Sequence, residues 1–204
     1  MFIESFLGRK PSHFQFNPTI KAFIAAETLL WSGWNFFVPL IGVFVVEKIE
    51  GGNVEVVATA TSFYLISRLA TELLSAKYFV KRGDRVKLTV SILGSLILGI
   101  GYLGFLAVNS VPLLFCIYIL LGIGLGIASP AKLSLFSIHL DKNKEASEWS
   151  VYDAITFSAM AISGIIGGLI AGKFGFDSLF VIASFINLLG IFPYFFLLGK
   201  YSKD

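Results

Sequence analysis

The hydrophobic pattern along the chain is dominated by six long apolar stretches separated by short polar turns. A helix that crosses a bilayer core about 30 Å thick needs about 20 predominantly apolar residues, and each stretch reaches that length. The pattern therefore predicts six transmembrane helices, and its continuous runs do not match the alternating segments of a membrane β-barrel. The predicted spans are residues 22–46, 57–76, 88–108, 112–138, 149–172 and 178–198.

Short segments flank these spans. Residues 1–21 form an N-terminal segment, residues 22–198 the transmembrane domain, and residues 199–204 a tail. The N-terminal segment carries charged residues and prolines, among them Glu4 and Pro11, before sustained hydrophobicity begins, and it has no cleavage signature of a signal peptide. We therefore expect the first span to be a true transmembrane helix.

Basic residues indicate the orientation of the chain, because cytoplasmic loops carry an excess of Lys and Arg. Most of the 16 Lys and Arg residues lie in the N-terminal segment, the second and fourth loops and the tail, whereas the opposite side holds Lys48 and Lys173. This distribution predicts that both termini are cytoplasmic. We expect the protein in a bacterial or archaeal cytoplasmic membrane.

Composition agrees with a membrane protein, since 56% of the residues are hydrophobic and 14% are charged. A net charge of +3, divided along the chain, does not indicate nucleic-acid binding. The one cysteine, Cys116, lies in an apolar stretch and excludes a disulfide framework or cysteine metal site within one chain. The sequence has no nucleophile and base set, metal-ligand spacing or phosphate-binding loop, so we expect no enzymatic activity, cofactor or bound metal.

Glycine and proline recur at matching places in the first and fourth spans. Gly33 and Pro39 have the same spacing as Gly124 and Pro130. Three helices per group would invert the second group relative to the first, and interrupted helices at corresponding positions of inverted repeats indicate a transporter site. We therefore expect two inverted three-helix repeats.

The loop between the second and third spans carries a recognisable motif. Residues 76–88 resemble the Gly-x-x-x-Asp-Arg-x-Gly-Arg-Arg signature of the major facilitator superfamily, although Val80 replaces the acidic residue and Asp84 a basic one. The resemblance implies a gating loop between these helices. The positions that agree with the signature are Lys81, Gly83 and Arg85.

Two later stretches extend this resemblance. Residues 122–130 resemble the fourth helix of the superfamily, and residues 163–168 resemble the Gly-Pro-x-x-Gly-Gly element of its antiporters. Small residues let neighbouring helices approach closely, so we expect these positions to serve helix packing and gating. They are Gly122, Gly124, Gly126, Pro130, Gly164, Gly167 and Gly168.

The resemblance covers one six-helix half, with the pattern of the N-terminal half, of a family whose members usually have two halves. It implies an all-α, major-facilitator-like half. Because the two halves of such transporters are parallel repeats, two copies of this chain could take equivalent places. A parallel homodimer is therefore the expected assembly.

Five ionisable residues lie inside the predicted spans, where each costs at least about 2.5 kcal/mol near the centre unless it meets a partner or a wet cavity. They come from the first, second, fourth and fifth spans and gather in the inner half of the membrane. In the resembled family these four helices line the central cavity, which implies that the third and sixth spans are lipid-facing support. The five residues are Glu27, Arg68, Glu72, Lys132 and Asp153.

Aromatic residues share helical faces with these charges. Trp31 and Trp34 lie on one stripe with Glu27, and Tyr64 lies on another with Arg68. The tryptophans are too deep for an interfacial belt and would suit stacking against a flat or cationic solute. We expect the charged and aromatic residues together to line a substrate and proton pathway.

Some of these polar residues also have a purely structural explanation. Arg68 and Glu72 can neutralise each other along one helix, and Asp153 can stabilise a helix N-terminus, where a carboxylate meets the positive end of the dipole. His139, near the inner end of the fourth span, is interpreted as a solvated loop residue rather than a relay.

Glu27 is the candidate proton carrier, because a carboxylate in a low-dielectric cavity can hold a proton during transport. We predict a secondary active, proton-coupled transporter, or a facilitative one, that moves a small organic solute by alternating access as a homodimer of half-sized units. Its predicted partners are a second copy, the solute, protons and the lipid bilayer, without nucleic acid. The alternatives are a non-transporting membrane scaffold or partner-dependent subunit, and a fragment of a twelve-helix transporter.

Overall fold

The structure, a computed structural model, describes residues 16–79 and 81–200. These residues form helices joined by short turns, with 3₁₀ turns at Val38–Leu40 and Phe105–Ala107. The all-helical architecture expected from the hydrophobic pattern is confirmed. The helices are α1 (Pro18–Phe37), α2 (Ile41–Lys48), α3 (Val54–Phe79), α4 (Asp84–Gly104), α5 (Val111–His139), α6 (Glu145–Leu189) and α7 (Phe192–Lys200).

Within the described residues, four helical stretches are long and apolar enough to cross a membrane. Helix α3 is not among them, although it has 26 residues, and it carries charged side chains at Arg68 and Glu72. The last stretch has 56 residues, which would be about 84 Å as a straight helix against a bilayer core of about 30 Å, so it is too long for one crossing. The four stretches are Pro18–Lys48, Asp84–Ala107, Val111–His139 and Glu145–Lys200.

Two local breaks divide this last stretch. Gly175 has φ 80° and ψ 175°, a left-handed conformation that glycine adopts without the steric cost of a side chain. Helix α6 then ends at Leu189, because Pro193 has no N–H for the Leu189 carbonyl and its ring crowds that carbonyl. The interval 178–198, predicted as one span, is therefore interrupted between α6 and α7.

The equally spaced prolines of the first and fourth spans have different effects. Pro39 lies in the 3₁₀ turn that separates α1 from α2, whereas Pro130 lies inside α5, which continues to His139. The Ser75 hydroxyl of α3 donates a hydrogen bond of 2.6 Å to the Ile127 carbonyl, next to the carbonyl that Pro130 leaves without its usual donor. The first predicted span is therefore interrupted at its proline, whereas the fourth predicted span is one continuous helix.

The helices pack as neighbouring pairs around two hydrophobic clusters. Helix α1 packs along α6, α3 packs along α5, and α4 packs against both α5 and α6. One buried cluster contains Phe37, Tyr102 and Phe180, and the other contains Phe23 and Phe136. This packing buries one face of α1 and one of α5, the helices that carry Glu27 and Lys132.

The glycines of α5 serve two different helix contacts. A Cβ at Gly126 would collide with the Thr71 hydroxyl, and it would lie 2.6 Å from the Arg68 carbonyl of α3. A Cβ at Gly122 would likewise collide with α3. Gly124 faces the other way, where a Cβ would lie 3.0 Å from the Gly94 carbonyl of α4. The spacing of these three glycines therefore lets α5 approach α3 and α4 at once.

The α6 glycines do not all make close contacts. A Cβ at Gly167 would collide with the Phe36 carbonyl of α1, and one at Gly164 would lie 3.2 Å from the Asn35 side chain. A Cβ at Gly168 would meet no described atom within 4 Å. Gly168 therefore makes no close helix contact with the described residues, because this position is on the exposed face of α6.

Polar contacts tie several helix ends together at one end of the bundle. The Asn17 side chain caps α1 and donates to the His139 carbonyl at 2.8 Å and to Asp141 at 3.1 Å. The His139 ring lies 3.2 Å from the Asp84 carboxylate at the start of α4. The interpretation of His139 as a solvated loop residue is therefore corrected, since it joins the ends of α4 and α5.

The three loop residues that agree with the family signature, Lys81, Gly83 and Arg85, take no part in these contacts between helix ends. Lys81 and Arg85 are exposed and form no ion pair within the described residues, and Gly83 caps the start of α4 with its backbone. Asp84, which replaces a basic residue of the family signature, is the member of this loop that contacts α5. Val80 lies outside the described residues.

Candidate functional site

An ion pair between Glu27 and Lys132 lies inside the bundle. The Lys132 ammonium is 3.0 Å from Oε1 of Glu27, and only 5% and 7% of the respective side chains is exposed. The hydroxyl of Tyr194, on α7, donates to the same Oε1 at 2.6 Å. Three helices that are distant in sequence therefore converge on one carboxylate oxygen.

The depth of this cluster follows from helix geometry. Glu27 lies nine residues beyond Pro18, and Lys132 lies seven residues before His139. At about 1.5 Å per residue, these positions are about 14 Å and about 10 Å from the ends of their helices. Ionisable groups at such depth in a membrane are costly and usually functional.

The cluster holds both charges by several contacts. The Lys132 ammonium also lies over the Tyr194 ring, 5.7 Å from its centroid, and so gains a cation–π contact. Removing two charges from water costs several kcal/mol per ion, which only good geometry and additional hydrogen bonds offset. Tyr194 supplies the additional hydrogen bond here.

A small cavity borders the cluster. Its volume of about 20 Å³ has room for about one water molecule. Both polar contacts of the Glu27 carboxylate are made by its Oε1 atom. The other oxygen, Oε2, has no hydrogen bond to the described residues. The cavity is lined by Glu27, Leu30, Trp31, Trp34, Leu98, Tyr102, Leu125 and Lys132.

A second charged pair lies along α3. Nε of Arg68 is 3.2 Å from the Glu72 carboxylate, and the two side chains are 30% and 34% exposed. The Arg68 guanidinium also donates to the Tyr64 hydroxyl at 3.5 Å. The structure thus contains the pair expected from helical spacing, and it places this pair nearer the surface than Glu27.

Aromatic rings connect the two charged groups. The Trp34 and Tyr64 rings stack with their centroids 5.4 Å apart, and Trp34 also borders the cavity beside Glu27. Trp31 borders the same cavity. One face of the Trp34 ring is therefore covered by Tyr64 in this structure.

Asp153 does not join either group. It is half-buried, and it has no hydrogen bond or ion pair within the described part of the chain. Helix α6 begins at Glu145 rather than near Trp149, so Asp153 lies in the third turn, beyond the reach of the helix dipole. The explanation of Asp153 as an N-terminal charge is wrong, and Glu145 and Glu148 occupy the first turn instead.

The structure adds a residue that sequence patterns did not single out. Tyr194 is completely buried, and it lies on the final helix, which was expected to be lipid-facing support. Helix α4, assigned the same supporting role, contributes Leu98 and Tyr102 to the cavity. A buried tyrosine usually finds a partner for its hydroxyl, which is the one signal that could have drawn attention to Tyr194.

The described residues contain no group of three or more His, Cys, Asp or Glu side chains that could hold a metal ion. The Glu27–Lys132 cluster offers ion pairing and hydrogen bonding. An apolar helical bundle with a charged cluster of this kind, buried between spanning helices, defines an integral membrane protein.

A family model described as Major Facilitator Superfamily matches residues 18–204. The chain belongs to this superfamily. No curated protein matches the chain by sequence.

A solved structure is also similar to this chain. It is the in meso crystal structure of the POT family transporter PepTSo, with a TM-score of 0.70 and 16% sequence identity. The alignment covers 89% of this chain and 37% of PepTSo, so the chain spans little more than a third of that transporter. At this identity the likeness shows a shared fold.

Proposed function

We propose that this chain is a half-sized unit of a secondary transporter that moves a small organic solute across the membrane in exchange with, or together with, protons. The observation that carries the proposal is the buried Glu27–Lys132 pair, which joins α1 to α5 beside a water-sized cavity. Membership of the superfamily supports transport as the general activity.

Glu27 is the proposed proton carrier. Its Oε1 is held by Lys132 and Tyr194, while Oε2 is left without a hydrogen bond within the described residues. Protonation of Oε2 would neutralise the carboxylate and weaken its hold on Lys132. Lys132 would then be available to an anionic or polar group of the solute, with Arg68 and Glu72 as a second, more exposed pair.

The proposed arrangement has six crossings as two inverted three-helix repeats. In this arrangement the turn at Gly175 would divide the last 56-residue stretch into two crossings, and α3 would supply the remaining one. Asn17 and Asp84 both contact His139 at the end of α5, which supports a common face for the basic loops. This face is the proposed cytoplasmic side, with both termini on it.

The proposed assembly pairs this unit with a second one. A parallel homodimer would place two copies about an axis along the membrane normal, as in the two halves of larger members of this class. Exposed apolar side chains on α3 and α6, such as Leu69 and Phe157, would lie between the copies. Alternating access would then arise from rocking of the two units.

Uptake into proteoliposomes tests the proposal. Radiolabelled glucose, dialanine and ethidium would serve as probes, each with and without an inward proton gradient. The parent protein is expected to accumulate at least one probe faster with the gradient, whereas Glu27→Gln would lose this stimulation, because the amide cannot take up the proton. Glu55→Gln, an exposed acid at the start of α3, is the matched control.

Gradient stimulation that persists in Glu27→Gln would exclude Glu27 as the carrier. The same assay separates the alternative functions: a scaffold or partner-dependent subunit predicts no uptake of any probe by this chain alone. A scaffold also predicts that the Glu27–Lys132 pair serves only stability.

A further inference from the structure

Tyr194 is a buried residue that contacts the proposed proton carrier Glu27 but has no assigned role in proton uptake. Its hydroxyl donates to Oε1 of Glu27 at 2.6 Å, and its ring lies beneath the Lys132 ammonium. It therefore contacts both members of the ion pair. Its helix contains no acidic residue and otherwise carries apolar side chains with a single lysine at its end.

The break between α6 and α7 positions this tyrosine. A Cβ at Gly190 would lie 3.0 Å from the Ala26 carbonyl, so the turn before α7 approaches α1 next to Glu27. Pro193 prevents α6 from continuing through the turn. The Tyr194 ring also packs edge-on against Phe23, with the centroids 6.3 Å apart. The side chain is thus held from two sides.

The two oxygens of Glu27 have different surroundings. Oε1 accepts a hydrogen bond from Tyr194 and forms the ion pair with Lys132. Oε2 has no hydrogen bond to the described residues, and the Glu27 side chain borders the water-sized cavity. A proton delivered by water would therefore add to Oε2. Oε1 would then be a carbonyl oxygen, which can still accept from the Tyr194 hydroxyl.

We propose that Tyr194 is a positioning residue that holds the Glu27 carboxyl group in one orientation through both protonation states, while Lys132 is bound only in the charged state. This inference rests on the proposed role of Glu27 as a proton carrier. It makes the final helix part of the coupling site rather than a lipid-facing support.

Other polar groups face the same carboxylate. Lys132 approaches it from α5. Tyr152, on α6, also lies near Glu27, and Tyr102, on α4, lines the adjoining cavity. Of these, Lys132 contacts the carboxylate directly and Tyr194 is the neutral donor within hydrogen-bond distance. Deleting the Tyr194 hydroxyl therefore removes a defined contact and leaves the charge of the site unchanged.

Infrared spectroscopy of the purified, detergent-solubilised full chain at acidic pH tests the role of Tyr194 without requiring a substrate. The carbonyl band that disappears in Glu27→Gln would be assigned to protonated Glu27. A hydrogen bond to the carbonyl oxygen of a protonated carboxyl group lowers its stretching frequency, and Tyr194 donates to Oε1. Tyr194→Phe is therefore expected to move this band to higher frequency, because the carbonyl loses its donor.

Tyr118→Phe is the matched control, since Tyr118 is a buried tyrosine on α5 whose hydroxyl makes no hydrogen bond within the described residues. It should leave the Glu27 band unchanged. If Tyr194→Phe does not fold, site-specific 3-fluorotyrosine at position 194 preserves the ring and strengthens the donor, so the band should move to lower frequency. An unchanged band in both variants would overturn the inference.

This result is distinguishable from a failure of the transport proposal. A protein that transports none of the probes could still show the shift of the Glu27 band, and the local role of Tyr194 would then stand without transport. If the parent transports a probe with gradient stimulation but Tyr194→Phe leaves the Glu27 band unmoved, transport would stand and the role of Tyr194 would be rejected.

Discussion

Glu27 and Lys132 illustrate how a buried charge depends on its neighbours. Each side chain has 7% or less of its surface exposed, and their atoms approach to 3.0 Å. Replacing a buried pair by apolar residues is often neutral for stability, whereas removing one partner leaves an uncompensated charge and costs about 3–5 kcal/mol. The pair is therefore better explained by function than by stability alone.

Lys132→Gln tests this dependence. The variant would leave the Glu27 carboxylate buried beside only the Tyr194 hydroxyl, so the free energy of unfolding in detergent should fall by about 3 kcal/mol. The double variant Glu27→Gln with Lys132→Gln removes both charges and should recover part of the loss. Denaturant titration of the parent, both single variants and the double variant would give a coupling energy of about 1–3 kcal/mol.

If the changes in unfolding free energy of the two single variants simply add up to that of the double variant, this expectation is contradicted. The two charges would then not interact in the detergent-solubilised protein. Arg68→Gln offers a comparison on a pair that is about a third exposed. Solvent screening makes such pairs worth about 0–1 kcal/mol. Its effect on stability should therefore be much smaller than that of Lys132→Gln.

At the level of single residues, chemistry was easier to predict than contact. The expense of charge in an apolar span singles out Glu27 and Lys132 from the sequence alone. The same reasoning selected Asp153, which contacts neither charged group. It passed over Tyr194, because a tyrosine in an apolar helix is common and only its neighbours reveal its role.

The helices owe their arrangement to small residues as much as to apolar ones. In a bilayer, helices gain little from hydrophobic association and depend on close packing. Gly122 and Gly126 of α5 meet the Ser67 and Thr71 side chains of α3, while Gly124 meets α4. This contact fixes the rotation of α5, and with it the direction of Lys132.

Gly126→Ala tests the α3–α5 contact. The added methyl group would collide with the Thr71 hydroxyl and approach the Arg68 carbonyl, so the helices must separate. Overpacking of this kind costs about 1–3 kcal/mol, which should appear as a lower melting temperature in detergent. Gly168→Ala is the matched control, because a methyl group there meets no described atom within 4 Å.

Equal melting temperatures for the two alanine variants would show that α3 and α5 do not approach as closely as the structure indicates. The helical periodicity of the glycines could be predicted from the sequence, since it depends only on the spacing along one helix. Which glycine faces which neighbour could not, because that depends on how the helices are rotated against each other. Gly168, for example, is on an exposed face of α6.

At the level of the whole molecule, the α3 and α6 faces remain exposed. Leu69 is 62% exposed on α3, and Phe157 is 63% exposed on α6. Leu69 lies ten residues from the end of α3 at Phe79, and Phe157 lies twelve residues after the start of α6 at Glu145. Both are therefore about 15–18 Å from the same face of the bundle.

Cysteine cross-linking in membranes tests the proposed homodimer at this depth. In a Cys116→Ser background, the variant Leu69→Cys with Phe157→Cys is expected to form a covalent dimer on oxidation, because a parallel twofold arrangement brings α3 of one copy to α6 of the other. The control, Ile100→Cys with Phe185→Cys, has nearly the same exposure on α4 and on the part of α6 that follows Gly175. Gel electrophoresis under non-reducing conditions gives the result.

A dimer band that is equally strong in both cysteine pairs would indicate random collision rather than a defined interface. The absence of a dimer in the first pair would argue against a homodimer through these faces. It would favour a different partner for the unit, as expected for a subunit or for part of a larger transporter.

The sequence by itself determined that the chain is helical, that it belongs in a membrane, which family it resembles and which charges are costly enough to need an explanation. These conclusions depend on hydropathy, spacing and composition, which are properties of local stretches of chain. They needed no knowledge of which helices are neighbours.

Only the tertiary structure decided how those charges are used. It placed Tyr194 on the Oε1 atom of Glu27, joined His139 to Asp84, and left Asp153 apart. These contacts depend on the rotation and offset of packed helices, which arise from many small steric fits between distant segments. The residue pattern along one helix therefore does not predict these contacts.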